Sequence, residues 1–371
     1  MKRRTWAVIA GGGTAGHVLP GLAVARALVD RGHPAESIHF VGSRRGIEAR
    51  LVPEAGFGLT LLSGRGFDRR LSGETLRAAA GLVWALARAV VLVARRRPSV
   101  VVALGGYASV PCAVAAFVTG VPVVVMEQNA VAGAANRLIA RLARAAATSY
   151  EGTGLPRAEV TGNPVRAEIL AVDRSAGRAP ARAALGLPAD RMVVAVFGGS
   201  LGARTINEAV RGAVDWWKDR TDLAVRHVVG DRDWRLLDGA PADIVAGGLV
   251  YQPVRYEDRM DLLMAAADVA VCRAGATSVA ELAVVGLPAI LVPYPSAPGD
   301  HQTANARVLE RAGAAVLVPD AQLDASRLAA AVDGLLAAPD RLAAMSAAAR
   351  REARPDAAAR VADIVEAEAR A

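Results

Sequence analysis

Gly11-Gly12-Gly13-Thr14-Ala15-Gly16-His17, directly behind the apolar run Trp6 to Ala10, decides the fold of this chain. It returns in altered form as Gly198-Gly199-Ser200-Leu201-Gly202, behind Met192 to Phe197. Each stretch reads as a glycine-rich turn from a strand into a helix. Glycines without Cβ let backbone N–H groups approach an anion, the following helix N-terminus adds partial positive charge, and the Thr or Ser hydroxyl can donate a hydrogen bond. Neither stretch has the Gly-Lys-Ser/Thr ending of a Walker A loop. Two such phosphate-cradling turns imply two doubly wound α/β domains facing one cleft.

Working outward, Ile38 to Val41, Val100 to Leu104 and Val121 to Met126 read as further strands, alternating with amphipathic segments such as Leu19 to Asp30. Around the second turn, Val225 to Val229, Val269 to Cys272, Ala289 to Val292 and Ala315 to Val318 repeat that alternation. A chain of 371 residues exceeds the usual single core, which agrees with two domains. After Gly162-Asn163-Pro164-Val165-Arg166 the pattern relaxes into Asp173 to Pro180, rich in Arg, Ala, Gly and Pro, which reads as a hinge. The expected domains are 1-166 and 167-355. A last helix, 356-371, has Asp356 as its N-cap and is expected to pack back on the first domain.

Hydrophobic residues make up 53% of the chain but aromatics only 4%, which fits helices on a parallel sheet better than a β-sandwich or disorder. The formal charge is +8, and only Lys2 and Lys218 among the 44 basic residues are lysines. Such a surface suits nucleic acid, anionic lipid or phosphorylated substrates, and charge alone does not choose among them. Cys112 and Cys272, both in apolar contexts, read as reduced core residues without metal-ligand spacing. Met1-Lys2-Arg3-Arg4 and the apolar residues after it imitate a signal peptide, but they run straight into the glycines and read as a first strand. Ala108 to Met126 is broken by Pro111, Gly120 and Pro122, so no membrane span is expected.

Gly11 to Gly16 formally matches the dinucleotide fingerprint, yet the second strand runs into Gly42-Ser43-Arg44-Arg45 without the acid that would hold a ribose. This counts against a nicotinamide oxidoreductase. His17 starts a helix, where the dipole favours the neutral imidazole and hence a general base. Gly105-Gly106-Tyr107 and Glu127-Gln128-Asn129 each follow a strand and fall where open α/β sheets bind ligands. In the second half, Cys272-Arg273-Ala274-Gly275 leads into Ala276, Thr277, Ser278, Val279, Ala280 and Glu281, small residues that admit a phosphate or ribose, with Glu281 suited to two ribose hydroxyls. The polar cluster Asp300-His301-Gln302-Thr303-Ala304-Asn305 suits sugar hydroxyls. Asp231-Arg232-Asp233 superficially matches a D-x-D metal site but lies in a surface-like stretch, and no metal site is assigned. His33, His39 and His227 read as structural. Arg65, Arg69, Arg70, Arg77, Arg88 and Arg95-Arg96-Arg97 bracket Phe67, Leu71, Leu76, Leu82, Trp84 and Leu86. The segment reads either as a helix lying on an anionic membrane or as a crossover helix with a solvated basic face. It lacks the aromatic interleaving of RNA binders, so no nucleic acid partner is expected.

Taken in order, several stretches resemble the MurG glycosyltransferases of peptidoglycan synthesis (glycosyltransferase family 28). They are Gly-Gly-Thr-Ala-Gly-His-Val-Leu-Pro-Gly (12 to 21), Gly-Gly-Tyr (105 to 107), Glu-Gln-Asn (127 to 129), Gly-Asn-Pro-Val-Arg (162 to 166), Gly-Gly-Ser-Leu-Gly-Ala (198 to 203), Cys-Arg-Ala-Gly-Ala (272 to 276) and His-Gln-Thr-Ala-Asn-Ala (301 to 306). The resemblance spans essentially the whole chain. It implies a GT-B fold, an acceptor- and membrane-side N-terminal domain, and a C-terminal domain that binds UDP-N-acetylglucosamine. The implied reaction is inverting transfer of N-acetylglucosamine to the C4 hydroxyl of undecaprenyl-pyrophosphoryl-N-acetylmuramyl-pentapeptide, without cofactor, at the cytoplasmic face of the bacterial cell membrane as a peripheral protein. Thr14, Ala15, Gly16, Tyr107, Asn129, Arg166, Ser200, Ala276 to Glu281 and Gln302 match substrate-binding positions. His17 is the first candidate base and Glu127 the second. Tyr256-Glu257-Asp258-Arg259-Met260 departs from the family pattern, leaving Glu257 without an assigned packing role, and Ala15 stands where glycine is common. A UDP-sugar epimerase of similar fold and a non-catalytic UDP-sugar sensor are the alternatives.

Overall fold

The computed structural model describes residues 5–44, 46–62, 73–199, 202–237, 244–245 and 248–370, the side chains at 73–80, 82, 236–237 and 244–245 excepted. Ser200, the stretch Arg65 to Leu71 and the side chains of Leu76, Arg77 and Leu82 lie outside the described residues. The chain divides into two compact units: Met1–Arg166 with Arg354–Ala371, and Ala167–Ala353.

In the first unit β1 (Ala7–Gly11), β2 (Ile38–Ser43), β3 (Gly58–Leu62), β4 (Val100–Gly105), β5 (Val123–Glu127), β6 (Ala145–Thr148) and β7 (Ala158–Val160) form one parallel sheet. Their order is β3-β2-β1-β4-β5-β6-β7. Helices Gly73–Arg96, Ser109–Val118 and Ala134–Ile139 supply Ala89, Val93, Cys112, Ala116 and Ile139 to a core on one face. Helices Ala15–Asp30, Glu48–Glu54 and Ala357–Glu368 cover the other, where Val24, Leu28, Val361 and Val365 meet Ile9, Val102 and Met126. Arg31 Nη1 donates to Asp363 (2.6 Å) and Glu366 (2.7 Å), tying the last helix to the end of the first. The His33 ring, stacked on Trp6, lies 2.8 Å from Glu366. Asp356 begins this helix without a side-chain capping bond, unlike the cap expected of it.

In the second unit the strands are β8 (Met192–Phe197), β9 (Leu223–Val228), β10 (Ile244–Val245), β11 (Val250–Val254), β12 (Val269–Cys272), β13 (Ala289–Leu291) and β14 (Ala315–Leu317). They lie in the order β10-β11-β9-β8-β12-β13-β14, parallel except for β10. Setting β10 aside, this is the winding of the first sheet again. Trp217, with Ile206, Val210 and Ala213 of helix Arg204–Trp217, packs against Leu328 and Val332 of helix Ala325–Leu336 over one face.

The stretch expected to be a hinge is helix Arg174–Ala184. Asp173 Oδ1 caps it by accepting from Ser175 N (2.8 Å) and Ala176 N (3.4 Å). Two of its arginines are buried anchors: Arg174 donates to the carbonyls of Gly286 (2.8 Å) and Ala267 (2.6 Å), and Arg182 pairs with Asp268 (2.8 Å). A linker-like composition is helical here because long Arg stems can lie in a core while their heads satisfy carbonyl groups.

His227 is fully buried on β9. Its Nε2–H donates to Asn207 Oδ1 (2.9 Å) and its Nδ1 accepts from the Tyr251 hydroxyl (2.9 Å). Burial pushes its pKa down to about 3, and that of His39 on β2 to about 4, so both stay neutral in the folded chain at mildly acidic pH. The unfolded chain protonates them below the ordinary value of 6.5, so it binds more protons and stability falls as pH drops through that window. The urea midpoint is therefore expected to fall between pH 7 and pH 5. His227→Gln should lower the midpoint at pH 7 and flatten this dependence, and an undiminished pH dependence in the variant would show that His227 does not contribute to it.

Candidate functional site

Parallel sheets wound this way gather ligands outside the carboxyl ends of the strands where the winding reverses. That point lies between β1 and β4 in the first unit and between β8 and β12 in the second.

In the first unit the turns after β1 and β4 touch backbone to backbone. A Cβ on Gly106 (φ 77°) would come within 2.6 Å of the Gly12 carbonyl oxygen, so only glycine fits. Thr14 is exposed at the N-cap of helix Ala15–Asp30, and Ala15, Gly16 and His17 are half-buried in its first turn. Thr14 Oγ1 lies 3.2 Å from His17 Nδ1. On its other side the His17 ring runs along Gly105, with Nε2 3.1 Å from where a Cβ there would stand, and Asn136 Nδ2 borders the same position at 3.4 Å. Thr14, His17, Gly105 and Asn136 therefore converge on one sheet edge.

Glu127, considered as a second base, is 2% exposed and accepts four bonds. They come from Asn129 N (3.0 Å), Asn129 Nδ2 (3.1 Å), Gly133 N (2.9 Å) and Asn136 Nδ2 (2.9 Å). Its carboxylate is spent on shaping the turn that carries Asn129. Tyr107, in the turn after β4, has its hydroxyl 3.5 Å from the Gly81 carbonyl on the neighbouring helix, and burial pushes its phenol pKa up. Arg166 is half-buried at the last residue of this stretch of the unit. In the first glycine turn the Gly13 amide donates to the carboxylate of Glu48 (2.9 Å), a residue that no motif in the sequence singles out.

In the second unit, Ala276, Thr277, Ser278, Val279, Ala280 and Glu281 all lie in helix Ala276–Val285, which opens behind β12. Thr277 and Glu281 are one turn apart on the same face. The Thr277 hydroxyl is buried with no hydrogen-bond partner, and Glu281 is 4% exposed. Burial, with the Glu281 charge second, pushes the Cys272 thiol far up, so this cysteine stays a thiol. Arg273 ties two turns together, donating to the carbonyls of Val292 (3.1 Å) and Pro293 (3.2 Å), pairing with Asp320 and lying over the Tyr294 ring. Gln302 Oε1 accepts from Tyr294 N (2.9 Å), and Asn305 Nδ2 donates to Ala274 O (3.2 Å).

Asp233 is not at the surface, as its context suggested. It is fully buried, accepts from Asn207 Nδ2 (3.0 Å), and sits below Gly202 of the second glycine turn. Asp231 pairs with Arg255. Glu257, the departure from the family pattern, holds Arg226 (2.7 Å) and accepts from Arg259 N (3.0 Å), so its role is to brace the turn before helix Met260–Ala266. Among the described residues, no group of three His, Cys, Asp or Glu side chains is placed to hold a metal ion.

Residues 7–148 match the glycosyltransferase family 28 N-terminal domain and 193–361 the family 28 C-terminal domain. Over 359 residues, 96% of this chain and 95% of the relative, the sequence is 45% identical to a UDP-N-acetylglucosamine--N-acetylmuramyl-(pentapeptide) pyrophosphoryl-undecaprenol N-acetylglucosamine transferase of Clavibacter sepedonicus. The crystal structure of Acinetobacter baumannii MurG superposes with a TM-score of 0.77 at 28% identity, covering 98% of this chain and all of that one. A UDP-GlcNAc 2-epimerase from Neisseria meningitidis shares the fold alone, at 12% identity and a TM-score of 0.68 over 98% of this chain and 100% of its own. Two parallel-sheet units of this kind are the GT-B architecture, and the chain belongs to glycosyltransferase family 28.

Proposed function

We infer that this protein transfers N-acetylglucosamine from UDP-N-acetylglucosamine to the C4 hydroxyl of undecaprenyl-pyrophosphoryl-N-acetylmuramyl-pentapeptide. The observation that carries this reading is end-to-end identity of 45% with a relative named for that donor and acceptor. The two sheet edges supply chemistry that fits it.

The acceptor proton goes to His17. With Nδ1–H donated to Thr14 Oγ1, the imidazole lone pair lies on Nε2, the atom beside Gly105. The N-terminus of the helix disfavours imidazolium before reaction, which keeps the ring neutral and basic. Glu127 fixes the Asn129 turn and takes no proton. The anomeric carbon inverts in a single displacement as UDP departs. The second unit holds the donor, with Glu281 accepting from ribose hydroxyls and the unpartnered Thr277 hydroxyl next to it on the same helix face. Arg166, Ser200 and helix N-termini stabilise the departing pyrophosphate.

The acceptor is a membrane lipid, and no helix among the described residues is long and apolar enough to cross a membrane. We propose that the protein meets the bilayer at its cytoplasmic face, through the helices on one face of the first unit. Helix Gly73–Arg96 turns Ala85, Ala89 and Val93 inward, while its outer side carries Trp84 (59% exposed) and Val91 beside Arg88 and Arg95. Phe117 (58% exposed) and Val118 on the adjoining helix, and Leu138 and Leu142, which follow Arg137 and Arg141, continue the apolar and basic mixture. Interfacial binding needs this pairing of apolar insertion with attraction to anionic headgroups.

Incubation with labelled UDP-N-acetylglucosamine and a short-chain polyprenyl acceptor is expected to give labelled disaccharide lipid. Conversion of the free UDP-sugar without acceptor would favour an epimerase, and tight binding without transfer a sensor. His17→Ala should lower kcat by about 100-fold or more, and near wild-type turnover at saturating substrates would remove it as the base. Glu281→Ala should weaken UDP binding about tenfold or more through loss of hydrogen bonds to a charged group. Unchanged affinity would make the residue structural. The Trp84→Ser/Phe117→Ser pair should release the protein from phosphatidylglycerol vesicles, and undiminished vesicle binding would place the contact elsewhere.

A further inference from the structure

Glu48 has no role in the reaction described above, yet it is 1% exposed and lies directly beneath the first glycine turn. Its Oε2 accepts from Gly13 N at 2.9 Å. Its Oε1 accepts from Ser43 N (2.7 Å) and Ser43 Oγ (3.1 Å). A Cβ on Gly12, Gly42 or Gly46 would collide with this carboxyl group, so the end of β2 and the turns after β1 and β2 close around it. One side chain thus joins the end of β1 to the end of β2, and the amide that a phosphate would seek is already turned inward.

The second unit has a similar feature. Asp233 follows β9, the strand that occupies in its sheet the place of β2 in the first, and its Oδ2 would lie 3.3 Å from a Cβ on Gly202. In both units an acid that follows the second strand of the winding is directed into the protein under the glycine turn. Dinucleotide-binding folds direct an acid from this region outward, to a ribose.

We propose that Glu48 is the built-in anion of the first glycine turn, a positioning residue that holds Gly13, and through it the Thr14–His17 pair, in working geometry. Thr14 is the residue after the amide that Glu48 grips, and its hydroxyl orients His17 Nδ1. Without the carboxylate, Gly13 N–H and Ser43 N–H lose their acceptor, and the turn must move to find another. The proposal rests on His17 acting as the base.

Glu48→Ala leaves a pocket the size of a small carboxylate. Turnover is expected to fall about 100-fold, the cost of misplacing a reacting group by about an ångström, with KM for UDP-N-acetylglucosamine unchanged. Added formate should restore turnover, while chloride at equal ionic strength should not. Glu48→Gln fills the space but turns an amide NH2 toward one of the two N–H donors. It should also be slow, and formate should not rescue it. In ¹⁵N-histidine spectra of the Gln variant, the His17 signals, assigned by their loss in His17→Ala, should shift while those of His227 and His301 in the other unit stay. Wild-type turnover in Glu48→Gln, or an unmoved His17 signal, would overturn the proposal, as would a folded Glu48→Ala that formate does not rescue. If His17→Ala is active while Glu48→Ala is slow and formate-rescued, the base assignment fails and the anion role stands.

Discussion

The turns after β1 and β4 can run side by side only because Gly11 and Gly106 have no side chains between them. This contact occurs where the strand order reverses, at the place where an open sheet presents its loops to a ligand. With the backbones in contact, the His17 ring lies along Gly105, and Asn136 reaches the same spot from the helix behind β5. A single methyl group at Gly106 would separate the turns and carry His17 off the edge.

The carboxylates at these edges divide their work by burial. Glu127, Glu48 and Asp233 are buried, accept from amide groups and keep turns in shape, and they do so because a buried acceptor with several donors is costly to disturb. Glu281 is also buried, but it shares a helix face with a hydroxyl that finds no protein partner. That pairing suits a group arriving from outside. Arg273 and Arg174 complete the pattern from the opposite charge, spending their donors on carbonyl groups of the chain.

Much of this was legible in the sequence. Both glycine turns, the central strands around them and the doubly wound class follow from alternating apolar runs and amphipathic segments, because fully buried parallel strands announce themselves as short Val-rich stretches. The strands that escaped lack that signal. β6 is Ala-Ala-Ala-Thr, which has no intrinsic preference for a strand and adopts one because β5 and β7 flank it. β11 contains Pro253, which argues against a strand until one sees that the short β10 pairs only with Val250 and Tyr251. Glu48 was missed because its significance lies in what surrounds it: a lone acid at a helix start reads as ordinary dipole stabilisation, and the glycines that close on it are scattered from 12 to 46. Similarly, Asp233 looked like half of a surface pair because its neighbours in sequence are polar, whereas its neighbours in space are Asn207 and Gly202.

The return of the last helix to the first unit bears on how the molecule is made. Ser99 N donates to Trp6 O while Ser99 O accepts from Arg370 N, so one residue joins the approach to β1 to the segment after the last helix. The second unit is an insertion between Arg166 and Arg354. On the ribosome the first sheet emerges early, and the part of its face over β4 to β6 that awaits Val361, Ala362 and Val365 is still bare. The inserted unit has all its strands and helices before that face is covered. The part synthesised first is therefore the part completed last, and during translation its uncovered apolar face is the surface most in need of protection from association.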